Sequence, residues 1–165
     1  MTRPKLELEK DGFDWVIEII TFLLFAGLII TPFYYYSALP DTIPSHYNAA
    51  GEADGFSGKN VIWTLPAIGL VMFIGLTILN RFPHIFNYPT EVTEENAERL
   101  YRGGTKLIRV LNMVTIGAFF YISLQSIMGA MGSNMGLGDW FLPVFLASTF
   151  IPIGVYIYLT IKGNK

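Results

Sequence analysis

The sequence predicts an all-α membrane protein in the form of a four-transmembrane-helix bundle. Hydrophobic residues make up 52% of the 165-residue chain and charged residues only 15%, a balance typical of membrane proteins rather than of small soluble domains. Four apolar segments, at about 15–36, 61–79, 107–128 and 140–161, are each close to the roughly 20 residues that a helix needs to cross a bilayer. We therefore interpret residues 1–165 as a single integral membrane domain.

The composition argues against several classes of function. No segment between the spans is long enough for a soluble catalytic domain of about 50 residues, so we expect no enzyme, no catalytic residues and no cofactor. The net charge is −2 without a basic block, which argues against a nucleic-acid partner. The chain has no cysteine, which excludes disulfides, thiol nucleophiles and cysteine-ligated metals.

The first apolar segment, 15–36, has Glu18 as its one formal charge. A cleaved signal peptide is the alternative interpretation. The segment is longer than the apolar core of a signal peptide, which has about 7–15 residues. The residues before it are acidic rather than basic. We expect a spanning helix that is retained.

The basic residues predict the orientation. Nine of the 11 Lys and Arg residues lie before the first span, between the second and third, or after the fourth; Lys59 lies in loop 37–60 and Arg109 within a span. Short basic loops remain in the cytoplasm. Both termini and loop 80–106 are therefore predicted to be cytoplasmic, and loops 37–60 and 129–139 to lie outside.

Two charged residues, Glu18 and Arg109, lie inside the predicted spans. Glu18 and Arg109 are at similar depths, a few residues from the cytoplasmic ends of spans one and three, and Asn112 is one helical turn from Arg109. Because an unpaired charge in hydrocarbon is costly, an ion pair between Glu18 and Arg109 is one expectation, with Asn112 as a further partner. Separate snorkelling of the two side chains to the headgroups is the alternative.

Loop 80–106 is predicted to contain a short cytoplasmic helix at about 90–101. Its acidic residues come early and its basic residues late, as a helix dipole favours, and Gly103 and Gly104 follow as stop signals. A docking site for a partner protein is the alternative interpretation of this segment.

Loop 37–60 concentrates polar, charged, Gly and Pro residues, and we expect an ordered extracytoplasmic cap with a short extended stretch at 43–47. A metal ion is one possible ligand, since His46 is accompanied by Asp41, Glu52 and Asp54. Their spacing matches no established zinc signature, so we expect no metal.

Two segments resemble a bacterial membrane-protein family built around domain of unknown function 1648, to which SdpI-type immunity proteins are related. The signature positions of the outer loop are Pro40, Asp41, Pro44, His46, Gly51, Asp54, Gly55 and Lys59. Those of the cytoplasmic loop are Asn87, Tyr88, Pro89, Glu95, Asn96 and Arg99. The resemblance implies a bacterial cytoplasmic (inner) membrane protein, although SdpI itself has six spans and this chain has four.

Three functions follow as hypotheses. The first is an immunity or sensor protein whose outer loop binds a peptide or envelope component. The second is an accessory or structural subunit of a larger membrane complex, and the third a metal-dependent intramembrane enzyme or transporter. The expected partners are the lipid bilayer, an extracellular peptide, and a membrane protein or a second copy of the chain.

Overall fold

The computed structural model describes residues 3–133 and 136–163. It contains four long helices: α1 (Gly12–Tyr35), α2 (Thr64–Leu79), α3 (Ala97–Ala130) and α4 (Phe141–Lys162). Together with the adjoining 3-10 turns at 36–38 and 59–63, all four are long and apolar enough to cross a membrane. The predicted number of spans is therefore confirmed. Asn134 and Met135, in the predicted loop 129–139, lie outside the described residues.

Helix α1 begins where two acidic side chains satisfy backbone donors. The side chain of Asp11 accepts a hydrogen bond of 3.0 Å from the Asp14 amide, and the side chain of Asp14 accepts one of 3.1 Å from the Asp11 amide. This reciprocal arrangement is a capping box, which fixes the first turn. The helix consequently starts three residues earlier than the apolar segment suggested.

Helix α3 is the central element, because α1, α2 and α4 all pack against it. Leu28 of α1 and Ile116 of α3 are completely buried. A Cβ atom at Gly69 of α2 would lie 2.6 Å from a methyl group of Leu28. The small residue therefore allows α1 and α2 to approach closely, as is common in membrane proteins.

The prediction of a separate helix at about 90–101 is wrong. Residues 90–96 are not helical, and α3 runs without interruption from Ala97 through Gly103 and Gly104 to Ala130. Glycine weakens a helix by about 1 kcal/mol, but here its small size is needed. A Cβ at Gly104 would lie 3.2 Å from the rings of Phe86 and Tyr88, so packing overrides the propensity.

The prediction of an all-α protein is also incomplete. Strands β1 (Thr42–Tyr47) and β2 (Ala53–Gly58) form an antiparallel hairpin between α1 and α2. The extended stretch predicted at 43–47 is confirmed, whereas the returning strand was missed. Its sequence, ADGFSG, is rich in residues that are depleted in strands, so its conformation depends on pairing with β1.

The hairpin has its own small core against the helices. Leu39, Ile43, Ile62 and Ile127 form a buried cluster that joins the two ends of the hairpin to the last turns of α3. We call this the hairpin end of the molecule. The opposite end, which contains residues 3–11 and the connection 80–96, is called the terminal end.

Residues 3–11 form an extended N-terminal segment that is fastened to the terminal end. The hydroxyl of buried Tyr101 donates a 2.9 Å hydrogen bond to the carbonyl of Pro4, and Arg102 donates one of 3.2 Å to the carbonyl of Glu9. The guanidinium of Arg3 reaches the carbonyl of Phe86 at 2.6 Å. The segment therefore packs on the first turns of α3 and on the connection that precedes it.

Candidate functional site

The turn of the hairpin, residues 48–52, is shaped by one asparagine and one glycine. The side-chain oxygen of Asn48 accepts hydrogen bonds from the amides of Ala50, at 2.9 Å, and Glu52, at 3.0 Å. Gly51 has φ +76, a conformation that strongly favours glycine. Asn48 was missed from the sequence, although such side-chain turns are a known role of asparagine.

Gly51 docks the hairpin onto the connection between α3 and α4. Its carbonyl accepts a 2.6 Å hydrogen bond from the amide of Leu137, and a Cβ at this position would lie 2.7 Å from the carbonyl oxygen of Gly138. The signature residue Gly51 thus has two physical reasons to be glycine, its backbone angle and the closeness of a second backbone.

A second link joins β1 to α3. The hydroxyl oxygens of Tyr47 and Ser126 are 2.9 Å apart, which is within hydrogen-bonding distance. Burial raises the pKa of the Tyr47 phenol, so this link involves the neutral hydroxyl. The hairpin is therefore attached both to a helix and to a loop, which gives it a fixed orientation.

His46 and Asp54 form a hydrogen-bonded pair on the exposed side of the hairpin. His46 Nδ1 and Asp54 Oδ1 are 2.5 Å apart, and the two side chains are 73% and 45% exposed. Gly55 lies opposite His46 in the register, and a Cβ there would lie 2.8 Å from the Cβ of His46. Because both side chains are exposed, this pair is accessible for interactions with a ligand.

The remaining signature residues of this loop lie where the strands begin and end. Pro40 is exposed and precedes β1, and Pro44 is buried opposite Phe56. Lys59 Nζ is 3.7 Å from Asp41 Oδ1 and 5.4 Å from the centre of the Tyr36 ring. These contacts close the base of the hairpin where it meets α1 and α2.

A groove of about 430 Å³ runs between the hairpin, α2, α3 and α4. Its lining is mostly apolar and includes Pro44, His46, Leu65, Ile122, Phe141 and Leu142. A largely apolar cleft with a few polar groups at its edge is the usual form of a ligand site. We call it the hairpin groove. It was not predicted, because its lining comes from elements that are far apart in the sequence.

Within residues 3–133 and 136–163, no three His, Asp or Glu side chains are grouped closely enough to hold a metal ion. His46 and Asp54 would therefore supply two ligands, fewer than the three protein ligands of a catalytic zinc site.

The polar residues of the spans form an ionic network near the terminal end. Arg109 Nε lies 2.9 Å from Glu18, so the expected pair between α1 and α3 is present. Arg109 Nη1 also lies 3.1 Å from Asp14, which precedes the first predicted span at 15–36 and was not predicted as a partner. Asp14 and Glu18 are four residues apart and therefore lie on the same face of α1. This spacing could have identified Asp14 as a second partner of Arg109.

Two lysines extend the network outward. Lys10 Nζ is 2.5 Å from Glu18, and Lys106 Nζ is 2.5 Å from Asp11. The hydrogen bond from Lys106 lowers the pKa of the Asp11 carboxyl. Asn112 is buried on the same side, but its Oδ1 has no hydrogen-bond partner within the described part of the chain.

The signature residues of the connection 80–96 have mainly structural contacts. Tyr88 donates a 2.8 Å hydrogen bond to the carbonyl of Pro83, and burial raises the pKa of its phenol. Asn96 folds the turn before α3 by accepting from the Thr93 amide at 2.9 Å and donating to the Glu91 carbonyl at 3.0 Å. The other four residues are exposed: Asn87, Pro89, Glu95 and Arg99.

These features define a helical membrane protein with four candidate spans and an ordered hairpin between the first two. Residues 22–70, which run from α1 through the hairpin into α2, match the family described as Domain of unknown function (DUF1648). The resemblance of the hairpin segment to this family is therefore confirmed.

An uncharacterized protein of Archaeoglobus fulgidus is 32% identical to this chain, and the match covers 42% of the chain and 43% of the relative. The chain thus spans less than half the length of that archaeal protein. No solved structure matches the chain.

The docking of the turn predicts a difference between two glycine variants. Gly51→Ala places a non-glycine residue in the left-handed backbone conformation, which lowers the free energy of unfolding by about 1–2 kcal/mol. The added Cβ also overlaps with the carbonyl oxygen of Gly138. Gly132→Ala is the matched control, because Gly132 has φ +90 but nothing near its Cβ position. We expect Gly51→Ala to unfold at the lower temperature in detergent; equal unfolding temperatures would contradict the docking.

The ionic network predicts that Arg109→Met is strongly destabilising. It leaves the buried carboxylate of Asp14 without a cation, and removal of one partner of a buried pair costs about 3–5 kcal/mol. The double variant Arg109→Met/Asp14→Asn should regain much of this loss in thermal unfolding, and Lys162→Met, at an exposed cation, should have little effect. A single variant as stable as Lys162→Met would show that the network is dispensable.

Proposed function

We propose that this protein is a membrane receptor of the immunity or sensor type, resembling SdpI-type proteins, and that its hairpin end binds a peptide or an envelope component. The observation that carries the proposal is the position of the hairpin groove, which lies directly beside the exposed His46–Asp54 pair. An apolar part of a ligand would occupy the groove while its polar or charged part contacts the hairpin.

The proposal includes an orientation in the bacterial cytoplasmic membrane. Both termini and the connection 80–96 would lie in the cytoplasm, and the hairpin outside. The distribution of basic residues along the sequence supports this, with nine Lys and Arg residues in segments 1–14, 80–106 and 162–165 against Lys59 in segment 37–60. A hairpin outside the cell is accessible to secreted peptides.

The charge of the hairpin supports a cationic ligand. Residues 37–60 carry Asp41, Glu52 and Asp54 against Lys59, a formal charge of −2. Long-range attraction at physiological salt is weak because of screening, so we assign affinity to the groove and selectivity to the carboxylates. The proposed protein is a binding protein rather than an enzyme.

A second candidate function is that of an accessory subunit, and α4 is the observation that favours it. This helix packs mainly on α3, and its outer face carries large exposed apolar side chains: Val144, Phe150, Ile151, Val155 and Tyr158. Lipid can cover such a face, and so can a helix of a partner or of a second copy. Stoichiometric co-purification of a fixed membrane protein would favour this function.

The orientation is testable because the chain has no cysteine. A Ser57→Cys variant places one thiol on the exposed side of β2, and Glu94→Cys places one in the exposed connection before α3. We expect a membrane-impermeant maleimide to label Ser57→Cys in intact cells. Glu94→Cys should be labelled only after the cells are lysed. The reverse pattern would place the hairpin in the cytoplasm and remove the basis for an external ligand.

The role of the hairpin groove is testable with two tryptophan variants of α4. Leu142 lines the groove, whereas Leu146, one turn further along α4 and similarly exposed, does not. We expect deletion of the gene to sensitise cells to a cationic amphipathic peptide within a broad panel. Leu146→Trp should restore resistance, and Leu142→Trp, which fills the groove, should not.

Both tryptophan variants must accumulate to the wild-type level in membranes for this comparison. His46→Ala provides a third variant, at a residue that lines the groove from the hairpin. Equal resistance with Leu142→Trp and Leu146→Trp would exclude the groove as the binding site. A deletion strain that resists every peptide like the parent strain would argue against the receptor function as a whole.

A further inference from the structure

We propose that the ligand of the hairpin groove is a cationic amphiphile with an alkyl chain, which reaches the groove from the bilayer leaflet at the hairpin end. The proposal rests on the proposed function, of which it specifies the chemical class of the ligand and its route. The alkyl chain would lie between α2 and α4, and the cationic head beside the hairpin. The opening of the groove, its depth in the membrane and the charges around it support this ligand.

The groove opens between two helices. In the described part of the chain, α2 and α4 each pack on α3 and make few contacts with each other. Ile122 and Ser126 of α3 lie between them, Leu65 of α2 and Leu142 of α4 line the two sides, and the hairpin covers the end. Helices that span a bilayer have lipid at their sides. The gap between α2 and α4 is therefore open to the hydrocarbon chains of that leaflet.

Two tryptophans indicate the depth of the groove in the membrane. Trp63 directly precedes α2 and Trp140 directly precedes α4, and the first turns of these helices line the groove through Leu65 and Leu142. Trp140 is 80% exposed, and tryptophan is enriched at the level of the lipid headgroups. The groove therefore begins at this level and continues into the hydrocarbon. An amphiphile in the same leaflet has its head and its chain at these two levels.

The interior of the groove suits an uncharged chain. Among the described residues, no Asp, Glu, Lys or Arg side chain lines it. The hydroxyls of Tyr47 and Ser126 bond to each other at 2.9 Å, and that of Ser45 bonds to Ser57 at 2.9 Å. The side-chain oxygen of Asn48 is occupied by the amides of the hairpin turn. Because these polar groups already have partners, a chain without polar atoms displaces no hydrogen bond when it enters.

The alkyl chain by itself cannot give selectivity. Lipid tails are as apolar as the side chains of a membrane protein, so the transfer of a chain from the bilayer into the groove brings no hydrophobic gain. The preference for one amphiphile over the surrounding lipids must therefore come from its head.

The charges of the hairpin favour a cationic head. Asp54 bonds to His46, a residue of the groove lining, and Glu52 belongs to the adjoining turn. Lys59, the one Lys or Arg in segment 37–60, lies at the base of the hairpin, where its Nζ is 3.7 Å from Asp41. The head of the ligand would thus meet carboxylates whose charge this lysine does not offset. Such a rim complements a cation and repels an anion.

Photolabelling tests the site. The full-length protein is reconstituted in phosphatidylcholine vesicles at pH 8, dodecylamine with a diazirine in its alkyl chain is added and photolysed, and labelled residues are mapped by mass spectrometry. We expect the label to concentrate on Leu65, Ile122 and Leu142 of the groove lining. Unlabelled dodecylamine should compete at a concentration in the bilayer at least tenfold lower than that of dodecyl sulfate or dodecanol. Labelling spread evenly over the apolar faces of the four helices, or equal competition by the three compounds, would overturn the proposal.

Two hairpin variants separate local charge from overall charge. Asp54→Asn and Asp41→Asn each remove one negative charge, but Asp54 bonds to a residue of the groove lining, whereas Asp41 contacts Lys59 at the base. We expect Asp54→Asn to weaken competition by dodecylamine at least threefold and Asp41→Asn to change it less than twofold. Equal weakening in both variants, or none in Asp54→Asn, would overturn the assignment of the head.

Two α4 variants test the position of the chain. Leu142→Trp should abolish labelling of Leu65 and Ile122, because it fills the groove. Leu146→Trp, at a residue that does not line the groove, should preserve this labelling. The same labelling in both variants would place the chain outside the groove and overturn the proposal.

A water-soluble cationic peptide without an alkyl chain distinguishes this inference from the receptor function. If such a peptide displaces the probe better than dodecylamine does, the groove is a peptide site, so the receptor function stands and the amphiphile is wrong. Conversely, the groove may be labelled as expected while deletion of the gene leaves resistance to dodecylamine and to every peptide unchanged. That result would overturn the receptor function and retain the amphiphile site.

Discussion

The arrangement of α1 and α3 depends on the requirement that a charge in a low-dielectric environment must be paired. Arg109 is 11% exposed and contacts both Asp14 and Glu18, so it fixes the relative rotation and the relative height of the two helices. Because α1, α2 and α4 all pack on α3, the position of α1 relative to α3 also affects where the other helices lie. Asp14 also belongs to the capping box of α1, which links the start of this helix to its packing on α3.

The hairpin is held by a different kind of interaction. Its attachments are a backbone hydrogen bond from Leu137 to Gly51, the hydroxyl contact between Tyr47 and Ser126, and a small apolar cluster. An isolated two-stranded hairpin is marginally stable in water, so these contacts provide most of its order. They leave His46 and Asp54 exposed, and they shape a groove whose walls come from distant parts of the chain.

Apolar length was sufficient to predict four helices long enough to cross a membrane. The similar depths of Glu18 and Arg109 indicated their pair as one of two alternatives, and the structure contains it. Two features escaped because tertiary packing decided them. The glycines at 103 and 104 end a helix by propensity, yet Gly104 makes room for the rings of Phe86 and Tyr88 within α3. Strand β2 has few strand-forming residues and is recognisable only beside β1. The groove depends on the juxtaposition of separate elements, for which a single sequence has no periodic signal.

Helix α3 differs from the other three in lacking proline between its ends. Its 34 residues form a rod of about 51 Å at 1.5 Å per residue, with Ser126 near one tip and Tyr101 near the other. Proline is the commonest cause of a sharp kink in a helix. Helix α3 therefore joins the contact of Ser126 with Tyr47 at one end of the molecule to the contact of Tyr101 with the N-terminal segment at the other through one unbroken backbone.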